Sequence, residues 1–193
     1  MSSPEPHQVR PIPPRPGLGA SRRRLAEILR VDHAGELAAV HIYRGQKAVF
    51  SAAAGMDRAE AEVGEMGEQE QAHLKAFEAL LQQHGARPSL LAPAWRAAGF
   101  ALGAATALMG EKAAHACTEA VETVIEGHYG GQVEELAERE PELAASLSRY
   151  RDDELAHLTR AVEEGAREAP GYRLLSAVIR AGCRAAIRLA EKL

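Results

Sequence analysis

Cysteine is scarce in this 193-residue chain: Cys117 and Cys183 are its only two, and no CxxC pair occurs. That excludes a disulfide framework and a cysteine-built zinc site, and it points to a reducing compartment. Aromatic residues make up only 4%, which argues against a sheet-based core, because strands favour β-branched and aromatic side chains. A basic surplus is missing too. The formal net charge is −4, so a nucleic-acid partner is not expected. The N-terminus has no apolar stretch of the kind a secretory signal requires. What is abundant is alanine, at 39 positions. Alanine has the best helix propensity, so the composition predicts an all-α protein.

The breakers divide the chain. Six of the ten prolines fall within residues 1–16, which predicts a disordered or extended arm over residues 1–20. Ser21 reads as an N-cap, and a single helical domain is expected over residues 21–193. Helices are expected over about 22–54, 57–84, 90–110, 111–139, 141–168 and from about 172 to 193, with Gly55, Gly85, Pro88, Pro141 and Pro170–Gly171 between them. Within the third, the run AAGFALGAATALMG carries no charge over 14 residues, short of the ~20 needed to span a bilayer. Two readings fit it: an interfacial helix with Trp95 at headgroup depth, or a small-residue helix packed inside the bundle.

Two segments carry Glu-x-x-His: Glu70–His73 in EQAH and Glu154–His157 in ELAH. Residues at i and i+3 share a helix face, so each pair presents a carboxylate and an imidazole to one point. A single such pair is weak evidence in a glutamate-rich chain. Glu36 precedes Glu70 by 34 residues and Glu122 precedes Glu154 by 32. The order Glu, ExxH, Glu, ExxH describes two helical hairpins that together aim four glutamates and two histidines at one core. That is the ligand set of ferritin-like di-iron carboxylate bundles. Four buried carboxylates are very costly without compensation, and two divalent ions balance their charge. Oxygen-rich ligation with one imidazole per metal suits iron or manganese better than structural zinc.

Several neighbours compete for roles. Asp153 reads either as the group that orients a ligating histidine or as solvated charge beside Asp152. His33 lies three residues before Glu36 and reads as a group supporting the ligands, with direct ligation as the lesser alternative. Glu119, Glu126 and His128 surround Glu122 and could take its place. Glu111 and His115 form an i, i+4 pair expected at the surface, while His41 and His84 read as structural or exposed. Cys117 and Cys183 read as small buried hydrophobes.

The segments RVDHAGELAAVHIYRGQ, EQAHLKAFEALL, GFALGAATALMGEKAAHACTEAVE, GHY, RDDELAH and AGCRAAIRLAEKL together resemble the demethoxyubiquinone hydroxylases of ubiquinone biosynthesis, over about residues 24–193. The resemblance implies a ferritin-like four-helix bundle with two additional helices, one of them membrane-interfacial. It implies a di-iron monooxygenase that hydroxylates the quinone ring of a demethoxyubiquinone, with two iron ions per chain held by Glu36, Glu70, His73, Glu122, Glu154 and His157. By analogy Glu70 and Glu122 would bridge the metals, with Glu154 as the other candidate bridge. His128 and Tyr129 match a family His-Tyr pair placed to tune the site or touch substrate. Thr123 departs from the family pattern, where a second acid is common. The partners implied are a polyprenyl quinone, O₂, a membrane lipid surface, an unidentified electron donor and a lipid-presenting helper protein. The resemblance implies peripheral attachment to the quinone-bearing membrane; with arginine outnumbering lysine 19 to 4 and no clear transit peptide, the expected place is the cytoplasmic face of a bacterial inner membrane.

A second class, a ferritin-like ferroxidase or iron-handling protein, shares the helices and part of the ligand set. It does not account for a symmetric pair of ExxH motifs. A metal-free scaffold leaves six polar groups converging on a core without partners.

Overall fold

A computed structural model describes residues 18–193 of the chain, with side chains from Arg22 onward. Six α-helices follow in order: α1 (Leu18–Phe50), α2 (Asp57–Gln83), α3 (Ala92–Leu108), α4 (Glu111–Leu136), α5 (Pro141–Glu163) and α6 (Tyr172–Ala190). A short 3₁₀ turn, Ala166–Glu168, precedes α6. There is no strand among the described residues. The all-α expectation holds, and the architecture is consistent with a ferritin-like bundle.

Local chemistry explains most boundaries. Asp57 and Glu60 place negative charge in the first turn of α2, where the helix dipole favours it. Pro141 opens α5, a position where its missing N–H costs nothing. Two expectations fail. Ser21 lies inside α1, which begins at Leu18, so it does not cap that helix. The arm expected over residues 1–20 lies outside the described residues as far as residue 17. The fifth helix ends at Glu163, earlier than expected, because Gly165 adopts φ +86°. Glycine enters that left-handed conformation without a Cβ penalty.

α1 with α2 and α4 with α5 form two helical hairpins, and these four helices make the bundle. Apolar layers close it on both sides of a polar centre. One layer holds Leu25, Ile28, Leu29, Phe77, Leu81, Tyr129, Leu136 and Leu147. The other holds Tyr43, Phe50, Val63, Met66, Ala107 and Ala114. Each fully buried large side chain contributes ~1.5–3 kcal/mol of transfer free energy, so these layers offset the desolvation of what lies between them.

α3 packs across α1 through glycine. A Cβ on Gly103 would sit 1.9 Å from the Ile42 carbonyl oxygen, and one on Gly99 would sit 2.5 Å from that of Ala38. On α1, Gly45 meets the Phe100 carbonyl in the same way. The small residues of α3 therefore serve packing on one face. Its other face leaves Phe100 and Leu108 exposed, continued by Met109 just beyond its end. No described helix is long and apolar enough to cross a membrane. α6 flanks the same side of the bundle: Leu175, Ile179 and Cys183 share a core cluster with Leu102 of α3 and Cys117 and Val121 of α4.

Candidate metal centre

Each bundle helix contributes to the centre: Glu36 from α1, Glu70 and His73 from α2, Glu122 from α4, Glu154 and His157 from α5. All six are buried. Their donor atoms form two overlapping groups, each within 4.8 Å: Glu36, Glu70, His73 and Glu154, and Glu70, Glu122, Glu154 and His157. Glu70 and Glu154 are common to both groups, whereas Glu122 belongs to one.

Both imidazoles point Nδ1 inward. His73 Nδ1 lies 3.3 Å from Glu154 Oε1 and 3.6 Å from Glu36 Oε2. His157 Nδ1 lies 3.0 Å from Glu70 Oε1 and 3.4 Å from Glu154 Oε2. Their outward nitrogens are held from behind, His73 Nε2 by Asp153 at 3.2 Å and His157 Nε2 by Gln69 at 2.5 Å. Of the two readings of Asp153, the orienting one matches this contact.

The residues present fit a pair of divalent cations. Glu36 Oε2, Glu70 Oε1, both carboxylate oxygens of Glu154 and both inward imidazole nitrogens are buried without a hydrogen-bond partner. Buried polar atoms left unpaired cost ~1–3 kcal/mol each, and cations at their common focus satisfy them together.

The protonation pattern agrees. Burial raises Glu70 and Glu122 well above the usual carboxylate range, and the neighbouring Glu154 charge adds to it. Burial lifts Glu36 as well, against the opposing pull of His73. Glu154 goes the other way. Burial raises it, but His157 and His73 outweigh that and bring it to about 2. For His73, burial lowers the pKa and Glu154 and Glu36 more than compensate, giving about 10.

Around the ligands lie residues that spacing did not single out. Tyr43 donates to Glu122 Oε1 at 3.2 Å; it follows Glu36 by seven residues, two turns along the same face. Gln69 carries no comparable sequence signal. Tyr129 donates a hydrogen bond to Glu36, while its neighbour His128 instead faces Asp32 at 3.6 Å and Gln132 at 2.9 Å. Gln132 also donates to Asp32 at 2.8 Å.

The alternative ligands go elsewhere. Glu119 is held by Arg180 and Tyr172, each at 3.0 Å. Glu126 pairs with Arg151. His33 is buried but belongs to neither donor group. His41 bonds the Leu37 carbonyl at 2.8 Å and His84 is exposed. Cys117 is fully buried, and burial pushes its thiol up to about 12. One surface expectation is wrong: His115 is buried, because the helix face it shares with Glu122 turns inward.

Beside the centre runs a narrow cavity of about 80 Å³, lined by α1, α4 and α6 together with Trp95 of α3. Glu36 and Tyr129 form part of its wall, and the remainder is largely apolar, including Ala38, Ile125, Ala186 and Ile187.

The family described as "Ubiquinone biosynthesis protein COQ7" matches residues 23–190 of this chain. The chain is 45% identical over 180 residues to the 3-demethoxyubiquinol 3-hydroxylase of Rhodospirillum rubrum, covering 92% of this chain and 82% of that protein. It is 44% identical over 177 residues to the mitochondrial NADPH-dependent 3-demethoxyubiquinone 3-hydroxylase of Homo sapiens, covering 90% and 80%. It is 40% identical over 184 residues to the mitochondrial 5-demethoxyubiquinone hydroxylase of Saccharomyces cerevisiae, covering 88% and 78%. On this evidence, and with a helical bundle that gathers the carboxylate–histidine set at its centre, the chain belongs to the COQ7 family of ubiquinone biosynthesis proteins.

Proposed function

We propose that this protein is a di-iron hydroxylase that adds oxygen to the ring of a demethoxyubiquinone, the chemistry its relatives are named for. The observation that carries the reading is the meeting of two Glu-x-x-His pairs and two further glutamates in one buried centre. Glu36, Glu70, His73, Glu122, Glu154 and His157 would hold two irons. Bound iron supplies the activation of O₂ for insertion into the ring. Asp153 and Gln69 fix the ligand imidazoles in their inward orientation, which removes the need for reorganisation at each turnover. Tyr43 and Tyr129 place hydroxyl protons on Glu122 and Glu36. The apolar layers on either side keep water from the centre.

The quinone reaches the centre through the cavity ending at Glu36 and Tyr129. At about 80 Å³ it is smaller than the ~150 Å³ apolar void that holds a benzene ring. The headgroup therefore enters as α6 moves against α1. Leu174, Val178 and Leu189 of α6 and Phe100 and Leu108 of α3 are exposed apolar side chains, on two helices that also contribute to the cavity wall. They suit a protein that rests on the membrane surface and takes a polyprenyl substrate from it. An electron donor and a lipid-presenting helper complete the expected set of partners.

The test is the quinone profile of a bacterial strain that lacks its own demethoxyubiquinone hydroxylase and accumulates the intermediate. Expression of this chain is expected to restore ubiquinone, and Glu122→Ala is expected not to. An unchanged profile with the protein folded and iron-loaded would overturn the substrate assignment and favour iron handling.

A further inference from the structure

A second polar cluster lies two helical turns along the bundle from the metal centre. Glu62 precedes Glu70 by eight residues, His115 precedes Glu122 by seven, and Glu164 follows His157 by seven. At 1.5 Å of rise per residue, that is ~10–12 Å along the helices. Glu111 completes the set, one turn before His115. Ligand atoms of Glu62, Glu111, His115 and Glu164 all lie within 4.8 Å of one another. The composition, three carboxylates and one imidazole, is that of each donor group in the buried centre.

Arg58, from the first turn of α2, currently ties the carboxylates together. Its Nη1 reaches Glu62 Oε1 and Glu164 Oε2, both at 2.7 Å, and its Nη2 reaches Glu111 Oε1 at 2.5 Å. Arg160 stands 3.8 Å from Glu62 but pairs more closely with Glu65, at 2.9 Å. This arrangement leaves two buried groups unserved. Glu62 Oε2 has no hydrogen-bond partner. His115 is 2% exposed and makes no hydrogen bond among the described residues; its Nε2 lies 3.9 Å from that same Glu62 oxygen. Burial also keeps His115 below its usual pKa, which favours the neutral, metal-binding form of the ring. Donors bound ~2.0–2.2 Å from one ion stand ~3–4 Å apart, and the four ligand atoms here already lie within 4.8 Å of one another.

We infer that Glu62, Glu111, His115 and Glu164 form an ancillary binding site for a divalent first-row transition-metal ion, capped by Arg58. Arg58 hydrogen-bonds the three carboxylates and not His115, whereas a divalent first-row cation engages carboxylate and imidazole together. The Arg58 side chain is 60% exposed and swings into solvent at little desolvation cost, and its exposed ion pairs are individually weak. The bound ion ties together the ends of α2, α4 and α5, at a distance from the hydroxylation chemistry.

Cobalt(II) tests this without turnover. The metal-free full-length chain is equilibrated with Co²⁺ by dialysis, and bound metal is counted by elemental analysis alongside the visible d–d bands. Three ions per chain are expected for wild type and two for both His115→Ala and Glu164→Gln, the second changing only a partly exposed helix-end side chain. Arg58→Ala is expected to bind the third ion at least tenfold more tightly, since its competitor is gone. Equal counts in wild type and all three variants would overturn the site and leave a clamp of ion pairs. If wild type binds one ion that His115→Ala loses and Glu122→Ala keeps, the ancillary site stands and the buried di-metal reading falls.

Discussion

His73 turns Nδ1 toward Glu36 and Glu154 while Asp153 holds its Nε2 from behind at 3.2 Å. The carboxylate sits next to Glu154 in sequence, so one turn of α5 supplies both a ligand and the group that orients a ligand on α2. Asp153 is more than half exposed, which places its effect toward the lower end of the 10–100-fold range for such partners. Asp153→Ala is expected to weaken metal binding about tenfold with helicity unchanged, measured by competition with a chelator.

Removing a ligand carboxylate should separate stability from function. Glu122 is buried, and its carboxyl lies well above the usual range through burial and the Glu154 charge. Burial disfavours the charged carboxylate, so a neutral amide of the same shape adds no desolvation cost. Glu122→Gln is expected to melt no lower than wild type when metal-free, yet to lose bound iron and activity. Calorimetry of the metal-free proteins and metal analysis of the loaded ones check both halves.

The metal-free protein should lose stability as alkali is added. His73 is raised from 6.5 to about 10, with burial outweighed by Glu154 and Glu36. A raised pKa means the folded state holds a proton that the unfolded chain releases. The stabilisation is therefore full below pH 6.5 and is lost as pH rises toward 10. Glu36, Glu70 and Glu122, all raised by burial, act in the same direction from 4.5 upward. Bound cations replace those protons, so metal affinity should instead fall on acidification. Melting temperatures across pH 6.5–9, with and without metal, are expected to diverge as pH rises.

The α1–α3 crossing has no room for a methyl group. Gly103→Ala would press a Cβ against the Ile42 carbonyl at 1.9 Å, where only backbone movement relieves the clash. Its cost is expected at ~1–3 kcal/mol by chemical denaturation. Gly64→Ala is the control, because there the nearest atom is the flexible end of Lys47 at 3.2 Å.

Filling the cavity should block substrate without touching metal. Ala186 lines it from α6. Ala186→Phe is expected to lower kcat/KM by at least tenfold at unchanged iron content, measured by quinone turnover with parallel metal analysis.

By itself the sequence determined the helical class and the hairpin order, since alanine abundance and breaker positions act locally. It also marked the six residues of the buried centre, because a helix converts i, i+3 spacing into a shared face and the same pattern occurs twice. Short-range signals misled at the edges: Ser21 does not cap α1, and Gly165, not Pro170, ends α5. Only the tertiary structure decided which face of α4 turns inward. That orientation sends Glu119 to Arg180, buries His115 and joins Glu62 to Glu164 across helices far apart in the chain. It likewise decided that Glu70 and Glu154 share both donor groups, and that Gln69 and Tyr43 support the ligands. These are contacts between helices, fixed by packing angle and rotation, which spacing along any one helix does not encode.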